Sequence, residues 1–287
     1  MGDTKVQWHS GFVAAMNLEL SQNKKDLLFE KEYNLNTKPL EIDLLIIRKE
    51  TFSRISNEIG KIFRGHNILE FKSPQDHLDI DAYYKAIAYA SLYKSYGRTV
   101  DERKADDITI SLIRENKPKK LFSYFKEHGY QVSNPYQGVY YVESHVLFPT
   151  QIIVTKELDM EKHIWLGVLS EGLKKKEIKT MLENVRELTG KEEREFADSV
   201  LEVSVRANQQ IVEEMRGDGN MSQVLMEIME PQIQLIRQEE SRKALEELAR
   251  NIICANRGNH MPDAEIRKLL LSYKIKEDII EQLLNEK

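Results

Sequence analysis

Apolar residues recur every three to four positions over 8–20 (WHSGFVAAMNLEL), so Trp8, Phe12, Ala15, Met16 and Leu20 fall on one face of a predicted helix. The period then changes. Residues 27–35 and 40–48 (LEIDLLIIR) read as strands separated by a turn at 36–39, and 68–72 (ILEFK) reads as a third that stops at Ser73-Pro74. A helix over 80–96 follows, with Tyr83, Ile87, Ala90 and Tyr93 near one face and Gly97 to end it. Residues 107–114 (DITISLIR) read as a strand, 118–128 as a short helix closed by Gly129, and 139–143 and 151–155 as weaker strands. The order helix, three strands, helix, strand predicts an α/β fold, a mixed sheet flanked by helices.

Beyond about residue 160 the strand pattern gives way to helical periodicity rich in Glu, Lys, Leu and Met, over 163–188, 192–215, 221–250 and 262–284. Pro231 is expected to start or kink a helix. On pattern, the chain divides into an α/β domain at 1–159 and an all-helical C-terminal region at 160–287. The last segment reads as two short helices meeting at Ser272-Tyr273-Lys274. Such a hairpin could pack on the rest of the chain, or touch DNA or a homodimer partner.

Charge and cysteine usage narrow the function classes. The net charge is −5, but residues 1–159 are neutral and the excess acid lies in 160–287, so a phosphate backbone is not repelled by the α/β part. A single cysteine, Cys254, excludes a disulfide framework and a multi-cysteine zinc site. The histidines are scattered without zinc-motif spacing, although His66 and His77 flank the third strand. The phosphate loops GxGxxG and GxxxxGK[ST] are both missing from the sequence, as is the GxSxG elbow. No stretch approaches the ~20 apolar residues of a membrane span, so a cytoplasmic protein without membrane partners is expected. Lys117-Pro118-Lys119-Lys120 and the exposed members of the tyrosines in 80–96, Tyr84 above all, are candidate nucleic-acid contacts. Solvated faces and core packing are the commoner roles of such runs.

The strands carry the candidate chemistry. Side chains alternate along a strand, so Glu41, Asp43, Leu45 and Ile47 are expected on one face of 40–48 and Ile42, Leu44 and Ile46 on the other; Glu70 and Lys72 share a face. An acid and an amine inside an apolar strand cost desolvation free energy unless they are paired or hold a cation. Mg²⁺ or Mn²⁺ takes oxygen ligands and keeps several waters, so Asp43 and Glu70, with the carbonyl of Phe71, suffice to bind it. Lys72 is then placed to orient an attacking water or to steady developing negative charge, as phosphodiester hydrolysis requires.

The pattern EIDLLI at 41–46, a gap of about two dozen residues and ILEFK at 68–72, in this order of elements, resembles the PD-(D/E)XK nuclease superfamily, and within it the bacterial Rpn and transposase-like group. The resemblance covers roughly residues 8–155 and, loosely, the charged helical region that follows. It implies a restriction-endonuclease-like core and a metal-dependent DNA endonuclease linked to mobile-element or recombination biology. By the same resemblance, Asp43, Glu70 and Lys72 are catalytic, Glu19 is the first-helix acid, and Tyr84 and Lys85 are polar residues after the lysine strand. The family's proline before the aspartate is Ile42 here, and the linker 48–67 is longer than in compact members. The other reading is a non-catalytic interaction scaffold on a degenerate core, with Glu70 and Lys72 forming an ordinary salt bridge.

Overall fold

The computed structural model describes residues 7–34, 41–49, 54–217 and 223–285. The turn expected at 36–39 lies outside them. The protein is α/β. A seven-stranded mixed sheet runs in the order β1-β2-β3-β4-β7-β6-β5. The strands are β1 (Leu27–Asn34), β2 (Glu41–Arg48), β3 (His66–Lys72), β4 (Ile108–Arg114), β5 (Gln131–Tyr136), β6 (Val139–Glu143) and β7 (Thr150–Val154). The centre, β3-β4-β7, is parallel, and each flank is antiparallel. Both faces of the central strands are therefore buried, which explains their near-continuous apolar runs.

One face packs on α2 (Ile80–Ser95) and α3 (Lys119–Glu127) through Leu45, Ile68, Ile110, Leu112 and Ile152, against Tyr83, Tyr89, Tyr93, Leu121 and Phe125. Asp79 starts α2 by accepting a hydrogen bond from the amide of Ala82. The other face meets α1 (Trp8–Glu19), where Phe12 stacks on Phe71 with ring centroids 4.9 Å apart. Gly11 lets α1 approach α6 (Lys191–Ala207); a Cβ there would stand 2.7 Å from Val203 Cγ2.

Contacts divide the chain into Val6–Met229 and a unit that takes in Glu230–Lys287. The pattern boundary at 159/160 falls inside the first of these, because α1 packs on the later helix α6. The dividing point lies within α8 (Gln223–Gly258), next to Pro231, which sits inside the helix rather than at its start. The second unit is helical, with a core of Ala249, Ile253, Ile266, Leu270, Ile279, Ile280 and Leu283 drawn from α8, α9 (Asp263–Ser272) and α10 (Glu277–Asn285).

Three details differ from the sequence pattern. Strand β5 was not expected; it is an exposed edge containing Pro135 and a register shift, both tolerated only at edges or bulges. The helix expected over 163–188 is α4 (Ile164–Gly167) and α5 (Lys175–Glu187), parted by a turn with Gly172 at φ 72. The helix expected over 192–215 is α6 and α7 (Gln209–Gly217), broken at buried Asn208, whose side chain bonds Leu173, Ser170 and Ser204. Among the described residues, no helix is long and apolar enough to cross a membrane.

Candidate metal centre

Strands β2 and β3 pair from Ile47↔His66 to Leu44↔Leu69, and there the ladder stops. Continuing that register sets Asp43 opposite Glu70, a spacing at which Cβ atoms on neighbouring strands lie about 5 Å apart. On its other side, too, Asp43 is unpaired in the ladder. Glu32, which would pair with Asp43 from β1, takes a left-handed φ of 50, and the pair drops out of the β1–β2 ladder. Strict alternation is also lost, since Ile42 joins the same core cluster as Leu45.

Freed from the ladder, the Asp43 carboxylate accepts a hydrogen bond from the Phe71 amide, with Oδ2 at 2.8 Å. In an extended strand the N–H and C=O of one residue point to the same edge. The Phe71 carbonyl is therefore directed to the Asp43 side, beyond the end of the β2–β3 ladder. His9 of α1 stands on the other oxygen, Nε2 to Oδ1 3.6 Å. Lys72 Nζ lies 4.0 Å from Glu70 Oε2.

Glu70 is 4% exposed, and its Oε1 has no hydrogen-bond partner. Burial, then the charge of Asp43, pushes its carboxyl up to about 8; Lys72 and Lys85 act against this. Asp43 is also raised, by burial, against the opposing pull of His9, the Phe71 amide, Lys72 and Lys85. Lys85 from α2 is thus part of the constellation. Its ammonium is held above the usual range by Tyr89 first, with the charges of Glu70 and Asp43 adding to it.

This donor set suits a hard divalent cation. Two opposed carboxylates, one with an orphaned oxygen, are unfavourable together as anions unless a positive charge joins them. Among the described residues, no three His, Cys, Asp or Glu side chains gather as a metal-ligand group. The Phe71 carbonyl is a further protein oxygen on the Asp43 side, and a small divalent cation otherwise keeps several waters.

The structure brings Asp43, Glu70, Phe71 and Lys72 together, and leaves two other candidates elsewhere. Glu19 has its carboxylate engaged by His163 Nδ1 at 3.0 Å, the Leu166 amide at 3.2 Å and Asn57 Nδ2 at 3.3 Å. It ends α1, about 15 Å along the axis from His9, which begins it. Tyr84 is exposed and meets Tyr83, with ring centroids 5.7 Å apart. His66 is tied to the Tyr93 hydroxyl at 2.8 Å, at the end of β3 away from Lys72. The residue that sequence reasoning missed is His9. The signal was its spacing, since position 9 shares a helical face with Phe12, which packs on the site's own strand. Compared with protein-family models, curated proteins and solved structures, the chain finds no match.

Proposed function

We propose that this protein is a metal-dependent DNA endonuclease whose centre is Asp43, Glu70, the Phe71 carbonyl and Lys72. One observation carries the reading. Just beyond the last β2–β3 pair, the charge of Asp43 acts on Glu70, which has an unpartnered oxygen and an amine two residues along. A divalent cation held by Asp43, Glu70 and the Phe71 carbonyl would supply positive charge for a phosphodiester oxygen and for a water molecule.

The chain's own groups do the remainder. The Phe71 amide fixes Asp43 Oδ2, and Oδ1, with His9 Nε2 at 3.6 Å, is the oxygen that a cation would take. Glu70, drawn toward its neutral form without a cation, becomes the carboxylate that a cation recruits. Lys72, about one-fifth exposed, orients the attacking water and steadies the charge that grows on the phosphate. Lys85 adds positive charge to the site, and His9 stands beside Asp43 Oδ1.

Plasmid nicking with Mg²⁺ or Mn²⁺ tests this. The wild type is expected to cleave, and Asp43→Ala or Lys72→Ala to lose at least about a hundredfold of the rate, the scale of removing one electrostatic stabiliser, while keeping the wild-type circular dichroism. Cleavage by both variants at the wild-type rate, or none by the wild type with either metal, would overturn the reading.

A further inference from the structure

The tyrosines of α2 divide into two sets. Tyr83, Tyr89 and Tyr93 are buried core, whereas Tyr84 is 49% exposed. Tyr84 lies one residue from Lys85, whose charge acts on Asp43 and Glu70. Across from it on α3, Tyr124 is held above the ordinary phenol range, first by Tyr84. Tyr124 in turn stacks on His128, with ring centroids 3.8 Å apart and planes 17° from parallel. His128 is exposed, with its Nδ1 2.9 Å from the Tyr124 carbonyl oxygen.

Residues 120, 124 and 128 follow one another at four-residue spacing, so Lys120, Tyr124 and His128 form one line along α3. The same helix carries Lys119 and Lys126 against a single acid, Glu127. All three lysines are exposed, and none forms an ion pair among the described residues. Lys117, by contrast, is committed to the Tyr140 hydroxyl at 2.7 Å. Beyond the stack, Ser144 and His145 both take left-handed φ, 64 and 56, an arrangement costly for non-glycine residues. It presents exposed His145 edge-on to Tyr130, with ring centroids 6.2 Å apart.

We infer that the ring surface of exposed Tyr84, half-buried Tyr124 and exposed His128, lined by Lys119, Lys120 and Lys126, binds unpaired nucleotides of a DNA strand that leads to the metal centre. Bases stack on the rings, and the lysines neutralise their phosphates. Stacking tolerates any base because each has a π face, so this surface selects single-stranded or unpaired DNA rather than a sequence. Charge complementarity favours this occupant, since the surface is basic on a chain of net charge −5. The inference rests on the nuclease reading and adds its substrate class.

Fluorescence anisotropy with a labelled oligothymidylate in EDTA separates binding from cleavage. The full-length protein is expected to bind the single strand more tightly than a duplex of the same length. Tyr124→Ala and His128→Ala are each expected to weaken single-strand binding about tenfold, and Tyr124→Phe, which keeps the ring, to leave it unchanged. Lys120→Gln is expected to reduce the salt dependence of binding. If the alanine variants bind as the wild type does while the wild type still nicks plasmid with Mg²⁺, this inference falls and the nuclease reading stands. If the wild type neither binds nor cleaves any DNA, both fall.

Discussion

Glu70 makes the sharpest demand of any single residue. Its carboxyl is raised from an ordinary 4.5 to about 8, first by burial and then by Asp43. A folded value above the unfolded one means that stability is full below about pH 4.5 and is lost as pH rises through about 8. Without divalent cations, the protein should therefore weaken across that window. Glu70→Gln removes the buried charge, and in EDTA at pH 8.5 it is expected to stabilise the fold by about 1–3 kcal/mol, the scale of an unsatisfied buried polar group. Excess Mn²⁺ should raise the melting temperature of the wild type and not that of the variant, since only a ligand of the native state stabilises it. Equal stabilisation of both by Mn²⁺ would remove Glu70 from the site.

At the scale of elements, His163 acts as a clamp. Before α4, it places Nδ1 3.0 Å from Glu19 at the end of α1 and Nε2 3.4 Å from Glu58 in the short 3-10 turn Glu58–Ile62. Burial works to lower the imidazole, but the bond and charge of Glu19, joined by Glu58, outweigh it and hold His163 above its ordinary 6.5. The stability it confers is thus complete below 6.5 and declines as pH climbs through the folded value. In a Glu70→Gln background, which removes the carboxyl raised to about 8, thermal melts from pH 6 to 9 should fall. His163→Gln should start about 1–3 kcal/mol lower and stay flat. A parallel decline in both proteins would show that the clamp is not the titrating element.

Much of this element order was legible in the sequence. The strands β2, β3 and β4 announce themselves because a sheet covered on both faces needs continuous apolar runs. The acid and amine in β3 stood out because such a strand has no other use for charge. What was hidden depends on contacts distant in sequence. Asn208 ends α6 through bonds to Ser170 and Leu173, groups more than thirty residues away, so local periodicity ran straight across the break. Edge strand β5 lacks an apolar pattern because it is mostly exposed. His9 reaches Asp43, and Glu19 turns to His163, only because of how α1 lies across the sheet. A family pattern that assigns an acid to the first helix cannot see which end of that helix meets β2 and β3.

For the molecule as a whole, the mixed sheet is what groups residues 43, 70, 71 and 72. The parallel core fixes β3 against β4, the antiparallel flank brings β2 alongside, and the β2–β3 ladder ends just before Asp43 and Glu70. The most direct measurement is anomalous diffraction from crystals of the protein soaked in Mn²⁺. The account predicts one strong peak at ~2.0–2.3 Å from an Asp43 oxygen, a Glu70 oxygen and the Phe71 carbonyl, near the oxygen-ligand distances of small divalent cations. No peak between Asp43 and Glu70, at Mn²⁺ concentrations that saturate any site seen in solution, would contradict it.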